Sequence, residues 1–333
     1  MATVVQHAIG TTDQDFERLV APYRREIYAH CYRMLGSAHD AEDLVQETYL
    51  RAWKGYDRFE GRASLRTWLH RIATTACLTA LDRRGRRPLP TGLGGPTARP
   101  EGPLAERTDL PWLEPMPDVL GGTDHAADPG TVVTARESVR LALVAALQYL
   151  QPRQRAVLIL RDVLRFSAAE VAQALDTSVP AVNSLLQRAR AQLGRVAPEE
   201  DTVPEVRPDQ REILDRYVAA FETYDIGALT ELFTAEAVFE MPPFTTWVRG
   251  PRAIGRLIGT HCPARAAGDL ALVPTSANGQ LAFGMYRHAG EGTYRPFGLH
   301  VLDLGAEGVN HCAVFFDTGL FRLFDLPRTL RRP

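Results

Sequence analysis

Residues 40–56 read DAEDLVQETYLRAWKGY, and their spacing predicts an amphipathic helix. Its inward positions form one stripe suited to a core, namely Ala41, Leu44, Val45, Thr48 and Ala52. Asp43, Gln46 and Glu47 stand at i, i+3 and i+4 and share a different, polar face. Asp40 follows a Gly-Ser-Ala turn and is predicted to be the N-cap. This face fits either a solvated surface or a docking surface for a basic partner helix.

The next stretch, FEGRASLRTWLHRIATTACLTALDRRGRRP (59–88), predicts a basic helix with Ser64 as its N-cap. Residues 58–87 hold 8 basic and 2 acidic side chains, whereas residues 13–47 hold 4 basic and 8 acidic ones. Basic residues beside aromatic ones suit phosphate attraction and base stacking on a single strand. The pattern does not name DNA, because basic residues attract any polyanion, and Trp68 also fits a core position.

A second helical stretch, residues 136–193, contains two helices joined by a short turn. Ser167 and Glu170 form an S-x-x-E capping box that opens the first of them. The second, 178–193, turns an apolar stripe inward and carries no acidic residue. A polar, basic outer face after so short a turn suits insertion into a DNA major groove. Taken alone, the stretch fits a plain helical hairpin equally well.

Two strings carry a specific resemblance to a known family. LGSAHDAEDLVQETYLRAW with YDRFEGRASLRTWLHRIAT resembles region 2 of bacterial sigma-70-family initiation factors of the extracytoplasmic-function (ECF) group. LQPRQRAVLILRDVLRFSAAEVAQALDTSVPAVNSLLQRAR resembles region 4 of the same family. The resemblance implies a protein that joins RNA polymerase core, through the β′ coiled coil and the β subunit, and directs it to promoter DNA.

The resemblance also implies residue roles. Those implied to contact core polymerase are Asp40, Asp43, Gln46 and Glu47. Those implied at the melted −10 element are Arg62, Ser64, Arg66, Trp68, Arg71 and Thr75. Those implied nearest the −35 element are Ser178, Ala181, Ser184, Arg188 and Arg190. Many family members have Asn at the position of Thr75, and a hydroxyl cannot copy the hydrogen bonds of an amide.

The rest of the chain predicts linkers and a third module. A Pro/Gly-rich, acidic stretch follows the first module, and its PWLEPMPD segment (111–118) resembles one found in sigma factors with a C-terminal extension. We expect it to be flexible. After residue 208, two helices followed by strands predict an α+β domain similar to the SnoaL-like, ketosteroid-isomerase-like cone family. The predicted fold is therefore multidomain, with two all-α modules and an α+β cone. Its expected boundaries are 13–87, 88–130 (linker), 131–196 and 205–327.

The cone is predicted to regulate the chain through intramolecular contacts with the sigma modules, and cones of this type can hold a small ligand. Its candidate pocket residues are Glu240, His261 and His300, with Asp269 and His311 as further polar candidates. No residue order indicates a nucleophilic triad, and we expect no catalysis. One alternative is an isomerase or hydrolase in the cone, which would need convergent acid/base groups. Another is a repressor that binds duplex DNA without polymerase.

The distribution of charge agrees with this domain organisation when it is counted segment by segment. The 333 residues carry a net charge of −2, but segments 1–87, 88–135, 136–196 and 197–333 carry +3, −5, +5 and −5. No long apolar run predicts a membrane span, and no secretory signal is recognised. The four cysteines are scattered, so neither a metal site nor a disulfide framework is expected. We expect a cytoplasmic protein without a cofactor.

Overall fold

The computed structural model describes four stretches of the chain, namely residues 13–83, 85–121, 139–196 and 208–332. Helices come first in these stretches and the main strands follow, so the predicted class of two all-α modules and an α+β cone is confirmed. Residues 122–138 of the predicted first linker and second module, and residues 197–207 of the second linker, lie outside the described residues.

Four helices form what we call the first helical module. They are α1 (Asp13–Val20), α2 (Arg24–Leu35), α3 (Ala38–Gly55) and α4 (Leu65–Leu81). Short 3-10 turns at Ala21–Tyr23 and Tyr56–Arg58 connect them. Helices α2, α3 and α4 pack against one another around fully buried Ile27, Val45 and Leu69. The inward stripe that the sequence predicts for α3 therefore does face a core.

The helix caps match the prediction in one place and not in another. Ser64 caps α4, because its hydroxyl accepts the N–H three residues on at 3.0 Å. Asp40 as the N-cap of α3 is wrong: Ser37 takes that position and accepts the N–H of Asp40 at 3.1 Å. Helix α2 ends at Gly36, whose φ of +68° turns the chain early enough for Ser37 to cap. A Cβ at Gly36 would lie 2.8 Å from the side chain of Leu113.

The second helical module contains α5 (Leu141–Leu147), α6 (Pro152–Leu158), a π-helical turn (Ile159–Val163), α7 (Ala168–Ala174) and α8 (Val179–Val196). The predicted capping box is confirmed. The N–H of Glu170 donates to Ser167 Oγ at 3.2 Å, and the N–H of Ser167 donates to the Glu170 carboxylate at 2.8 Å. Asp176 lies in the turn with φ of +49° and ends α7. Helices α7 and α8 thus form the predicted helix-turn-helix.

The cone begins with two helices, and most of its strands follow them. Its elements are α9 (Pro208–Glu222), α10 (Ile226–Thr230), β1 (Phe233–Glu240), β2 (Trp247–Arg249), α11 (Pro251–His261), β3 (Leu270–Ala277), β4 (Gln280–His288), β5 (Thr293–Leu304), β6 (Val309–Phe315), α12 (Leu320–Leu323) and β7 (Leu330–Arg331). The strand order is β2-β1-β6-β5-β4-β3, with β7 beside β5. Strands β1 and β6 run parallel, and the other pairs run antiparallel. Helices α9 and α11 pack on the sheet around Tyr217, Phe283 and Leu257.

From here on, the linker denotes residues 85–121, which follow α4 and include residues 85–87 that the predicted boundary placed in the first module. This segment runs along the cone. The N–H of Thr97 donates to the carbonyl of Trp247 at 2.9 Å, and the N–H of Arg107 donates to that of Pro243 at 2.9 Å. The expectation of a flexible linker is therefore wrong for these residues. Their sequence has no periodicity, yet their backbone groups find partners on the cone, and such partners are what fixes an irregular segment.

One apolar core joins all the units. It includes Tyr32 of the first helical module, Leu113 and Met116 of the linker, Leu147 of the second helical module and Tyr286 of the cone. All five are fully or almost fully buried. The two helical modules, the linker and the cone are therefore packed against one another.

Candidate functional site

The acidic face of α3 is only partly open. Asp43 and Gln46 are exposed, and Glu47 is half-buried beside Arg51, with 2.7 Å between its carboxylate and the Arg51 Nε. Asp40 differs, because its carboxylate forms an ion pair with Arg87 at 2.5 Å and keeps only 15% of its side-chain exposure. Three of the four predicted polymerase-contact residues thus face solvent at least in part, while Asp40 is held by the linker.

Glu114 of the linker anchors the same end of α3. Its carboxylate accepts from Ser37 Oγ at 2.8 Å and from His39 Nδ1 at 3.0 Å, and its N–H donates to the carbonyl of Gly36 at 3.0 Å. Burial raises the pKa of Glu114, but the hydrogen bonds from His39 and Ser37 outweigh burial and hold that pKa below its ordinary value. The same hydrogen bond raises the pKa of His39. The anchor is therefore a charged pair that favours ionisation of both partners.

The basic helix α4 is covered near its start by the second helical module. Arg66 forms a bidentate pair with Glu26, and its guanidinium lies 4.7 Å from the ring centroid of Phe166. It also donates to the carbonyl of Leu164 at 3.2 Å. Burial raises the pKa of Glu26, but the hydrogen bond from Arg66 and the nearby basic groups together outweigh burial and lower that pKa overall. Arg66 is thus engaged by both helical modules, although its side chain keeps 35% of its exposure.

The other predicted −10 residues have different environments. Arg62, Ser64, Arg71 and Thr75 are exposed. Arg62 pairs with Glu60 at 2.9 Å, but both side chains are more than half exposed, so this pair contributes little. Trp68 is half-buried and packs on Phe59, with 4.8 Å between the ring centroids. The structure therefore supports the core interpretation for much of the Trp68 ring.

Helix α8 presents an open polar surface. Ser178, Ser184 and Arg188 are exposed, and Ala181 is half-buried. Arg190 is also exposed, but it forms a bidentate pair with Asp162 at 2.7 and 2.9 Å. Asn183 and Gln187 extend the exposed polar face. Hydroxyl, amide and guanidinium groups on one helix face are the groups that read base edges in a major groove.

Two residues that hold the units together were not singled out from the sequence. Arg155, almost fully buried on α6, donates to the carbonyl of Met34 in α2 and, at 2.8 Å, to Gln148 Oε1. Burial lowers its pKa to about 10. A buried arginine that donates to carbonyl oxygens has no signature in the local sequence. Only its burial in a helical stripe could have flagged it.

Asn278 is the second such residue, and it links four parts of the chain. Its Oδ1 accepts the N–H of Met116 at 2.9 Å, and its Nδ2 donates to Tyr32 Oη at 2.7 Å and to the carbonyl of Val139 at 2.6 Å. It lies in the β3–β4 turn with φ of +59° and is fully buried. The cone, the linker and both helical modules therefore meet at this one amide.

The cone holds a cavity of about 730 Å³ that is lined mainly by apolar side chains. Of the predicted pocket residues, His261 and His300 line this cavity, whereas Glu240 is not among the described residues that line it. Glu240 accepts the N–H of Thr91 in the linker at 2.9 Å and pairs with His311 at 2.8 Å. His261 Nε2 lies 3.1 Å from the carbonyl of Pro100. Glu240 and His261 thus both contact the linker, and no convergent acid/base pair forms among the three predicted pocket residues.

Among the described residues, no group of three or more His, Cys, Asp or Glu side chains is arranged to hold a metal ion. None of their helices combines the length and apolar character needed to cross a membrane.

The structure combines two helical modules, one with an acidic helix face and a basic helix and one with a helix-turn-helix, and a linker that ties them to a cone. Family models agree. Residues 19–87 match sigma-70 region 2, residues 140–193 match sigma-70 region 4, and residues 214–316 match the SnoaL-like domain.

Relatives sharpen this assignment. The chain is 60% identical over 319 residues to the ECF RNA polymerase sigma factor SigG of Mycobacterium tuberculosis, covering 95% of this chain and 85% of that one. It is 31% identical over 256 residues to SigJ of the same species, covering 73% of this chain and 71% of that one. The crystal structure of M. tuberculosis SigJ superposes with a TM-score of 0.59 at 24% identity, covering 93% and 99% of the two chains, which supports the fold. The chain belongs to the family of ECF RNA polymerase sigma factors, which are transcription initiation factors and not enzymes.

Proposed function

We propose that the chain binds RNA polymerase core through α3 and holds promoter DNA through α4 and α8. The acidic residues Asp43 and Glu47, with Gln46, supply a surface that suits a basic helical partner such as the β′ coiled coil, and the β subunit is the second core partner. Exposed Arg62 and Arg71 suit the −10 strand, and exposed Ser184 and Arg188 suit the −35 duplex. The protein would act in the cytoplasm, where core polymerase and promoters are found.

The observation that carries the regulatory part of the proposal is the cover over Arg66. Phe166 and the carbonyl of Leu164, both from the second helical module, contact the guanidinium of Arg66 in the first. The −10 and −35 elements are about 25 base pairs apart, or roughly 85 Å at about 3.4 Å per base pair. Modules that pack directly on each other cannot bind two sites so far apart. The described arrangement is therefore a closed state that opens before both elements are bound.

The linker and cone supply the contacts that hold the closed state. Asn278 connects them to both helical modules, and Arg87 and Glu114 tie the linker to the start of α3. We propose that these intramolecular contacts limit sigma activity until they are broken. A small ligand in the cone cavity is a further proposed partner, because the lining is apolar and its candidate acid and base groups do not converge.

Run-off transcription with purified core polymerase tests the sigma function. Full-length chain is expected to produce transcripts from promoters that core alone does not use. Glu47→Arg is expected to lower core affinity, because it reverses charge on the acidic face. Glu231→Arg, which changes an exposed carboxylate on the cone, is the matched control and should leave core binding unchanged. Transcription that is indifferent to the full-length chain would contradict the proposal.

A further inference from the structure

The cone cavity is a composite site, since the linker builds part of its wall. Leu104, Leu110 and Trp112 of the linker face it together with cone residues such as Phe239 and Leu257. About 730 Å³ lies within the range of 300–1,000 Å³ in which proteins bury drug-sized ligands. A molecule in this cavity would contact both the cone and the linker.

The lining specifies the chemistry of an occupant. Among its lining residues, His300 is 1% exposed, its Nδ1 lies 2.8 Å from Tyr217 Oη, and its Nε2 has no hydrogen-bond partner among the described residues. Burial lowers the pKa of His300 to about 3, so the ring is neutral. Two of the charged lining residues, Arg87 and Glu114, are engaged with Asp40, Ser37 and with each other. Glu106 and Asp317 also line the cavity, and Asp317 accepts the N–H of Gly319 at 2.8 Å. The cavity thus offers mainly apolar walls, carboxylates that disfavour an anionic occupant, and the neutral His300 ring, whose Nε2 has no hydrogen-bond partner among the described residues.

The wall of the cavity is also the anchor of the first helical module. Trp112 and Glu114 lie two residues apart in the chain, and both line the cavity, while the carboxylate of Glu114 binds Ser37 and His39. A ligand buried against this wall loses contacts whenever the wall moves away. It therefore binds the closed state more tightly than an open one, and differential binding of this kind shifts the population toward the closed state.

We infer that the cavity binds a neutral, largely apolar molecule with one hydrogen-bonding polar group, and that this molecule holds the linker closed on the first helical module. The polar group pairs with His300 Nε2, and the apolar body fills the space between the sheet and the linker. The ligand is then an inhibitor of initiation. This inference rests on the proposed function, in which the closed state limits promoter binding.

Titration of the full-length chain with Nile red, a neutral apolar dye that carries a carbonyl, tests the site. We expect saturable binding with one dye per chain. Cys262, a half-buried lining residue, allows a matched pair: Cys262→Trp fills the cavity and should lower dye affinity about tenfold or more, whereas Cys262→Ser keeps the volume and should not. Trp112→Ala removes wall area without altering the cone and should also weaken binding severalfold. Equal affinity for all four proteins would overturn the inference.

The coupling is tested by reciprocity, because two ligands that favour different states lower each other's affinity by the same factor. Core polymerase added to the dye-loaded chain should release Nile red, after subtraction of the signal from core alone, and saturating Nile red should reduce run-off transcripts about threefold or more. In Cys262→Trp, saturating Nile red should reduce run-off transcripts by a smaller factor than in the wild type. Dye that binds in the cavity but leaves core affinity unchanged would overturn the coupling.

Failure of the inference and failure of the proposed function give different results. Run-off transcription without dye tests only the sigma function. A chain that binds Nile red at this site but never supports initiation would contradict the proposed function, whereas a chain that initiates normally and binds no dye would contradict the inference alone.

Discussion

The two helices that the family resemblance assigns to DNA, α4 and α8, are both basic, but their arginine side chains differ in how much they contact the rest of the protein. On α4, Arg66 is half-buried and contacts Glu26, Phe166 and the Leu164 carbonyl, whereas Arg188 on α8 is exposed. The second helical module thus keeps its own reading face free while it covers part of the other. Under the proposed function, this difference predicts that the closed chain is limited mainly at the −10 element, and that opening moves the second helical module away from α4.

The largest expected effect comes from Asn278→Gly in the full-length chain. The change removes three side-chain hydrogen bonds that join four parts of the chain, while glycine adopts the φ of +59° without strain. Losing them should destabilise the closed state by about 2–4 kcal/mol. We predict tighter binding of a single-stranded −10 oligonucleotide and a larger radius of gyration by small-angle X-ray scattering.

Asn310→Ala is the control for Asn278→Gly. Asn310 lies in the same sheet, and its amide oxygen is 3.1 Å from Thr234 Oγ1, so its bond stays within the cone. It should leave oligonucleotide binding unchanged. If both variants behave like the wild type, Asn278 does not hold the chain closed, and the contrast between α4 and α8 needs another cause.

A smaller effect is expected from arginine substitutions on α8. Arg188→Ala should cost about 1–3 kcal/mol in binding to a −35 duplex, the usual cost of losing a specific base contact. Arg190→Ala should cost less, since its guanidinium is already paired with Asp162 at 2.7 and 2.9 Å. Fluorescence anisotropy at two salt concentrations measures both. A larger loss for Arg190→Ala would mean that the pair with Asp162 breaks on DNA.

The smallest expected effect is the change in the free energy of unfolding with pH that comes from His39 and Glu114. The pKa of His39 is raised above its ordinary 6.5, so its contribution is present below that value and is lost as pH rises through the folded pKa. The pKa of Glu114 is lowered from 4.5, so its contribution is lost only as pH falls through that lower value. The linker anchor should therefore weaken between about pH 6 and pH 8, by less than about 1 kcal/mol for a partly exposed pair.

Urea unfolding monitored by tryptophan fluorescence at about pH 6 and pH 8 measures this change on either side of the ordinary His pKa. His39→Gln should remove the part of the pH dependence that comes from the anchor, because glutamine keeps a donor but does not titrate there. An unchanged pH dependence in His39→Gln would show that His39 does not control the anchor.

The sequence predicts local features well and distant ones poorly. Ser64 as a cap and the capping box of Ser167 and Glu170 were predictable, because each partner lies three residues away. The path of the linker was not predictable, because the N–H of Thr97 donates to the carbonyl of Trp247, which lies far away in the sequence. Asn278 was not predictable either, because its partner Tyr32 lies 246 positions away. Contacts of that span leave no periodic trace in the sequence.

The candidate site follows the same division. The family motifs give the residues of α3, α4 and α8, and most of these are exposed as a binding surface requires. The motifs do not show which of these residues already have partners within the protein. Asp40 is paired with Arg87, and the guanidinium of Arg66 packs on Phe166. Both states depend on how separate modules pack, which no single segment encodes.

The most direct test of the closed state is the distance between the two helical modules, measured by energy transfer between dyes. Glu17→Cys on α1 and Ala191→Cys on α8 provide exposed labelling sites, with half-buried Cys262 changed to Ser and the other three cysteines buried. The free chain should give high transfer, and the complex with core polymerase and promoter DNA should give low transfer, since the two elements lie roughly 85 Å apart. Low transfer in the free chain, or high transfer retained on the promoter, would contradict the account.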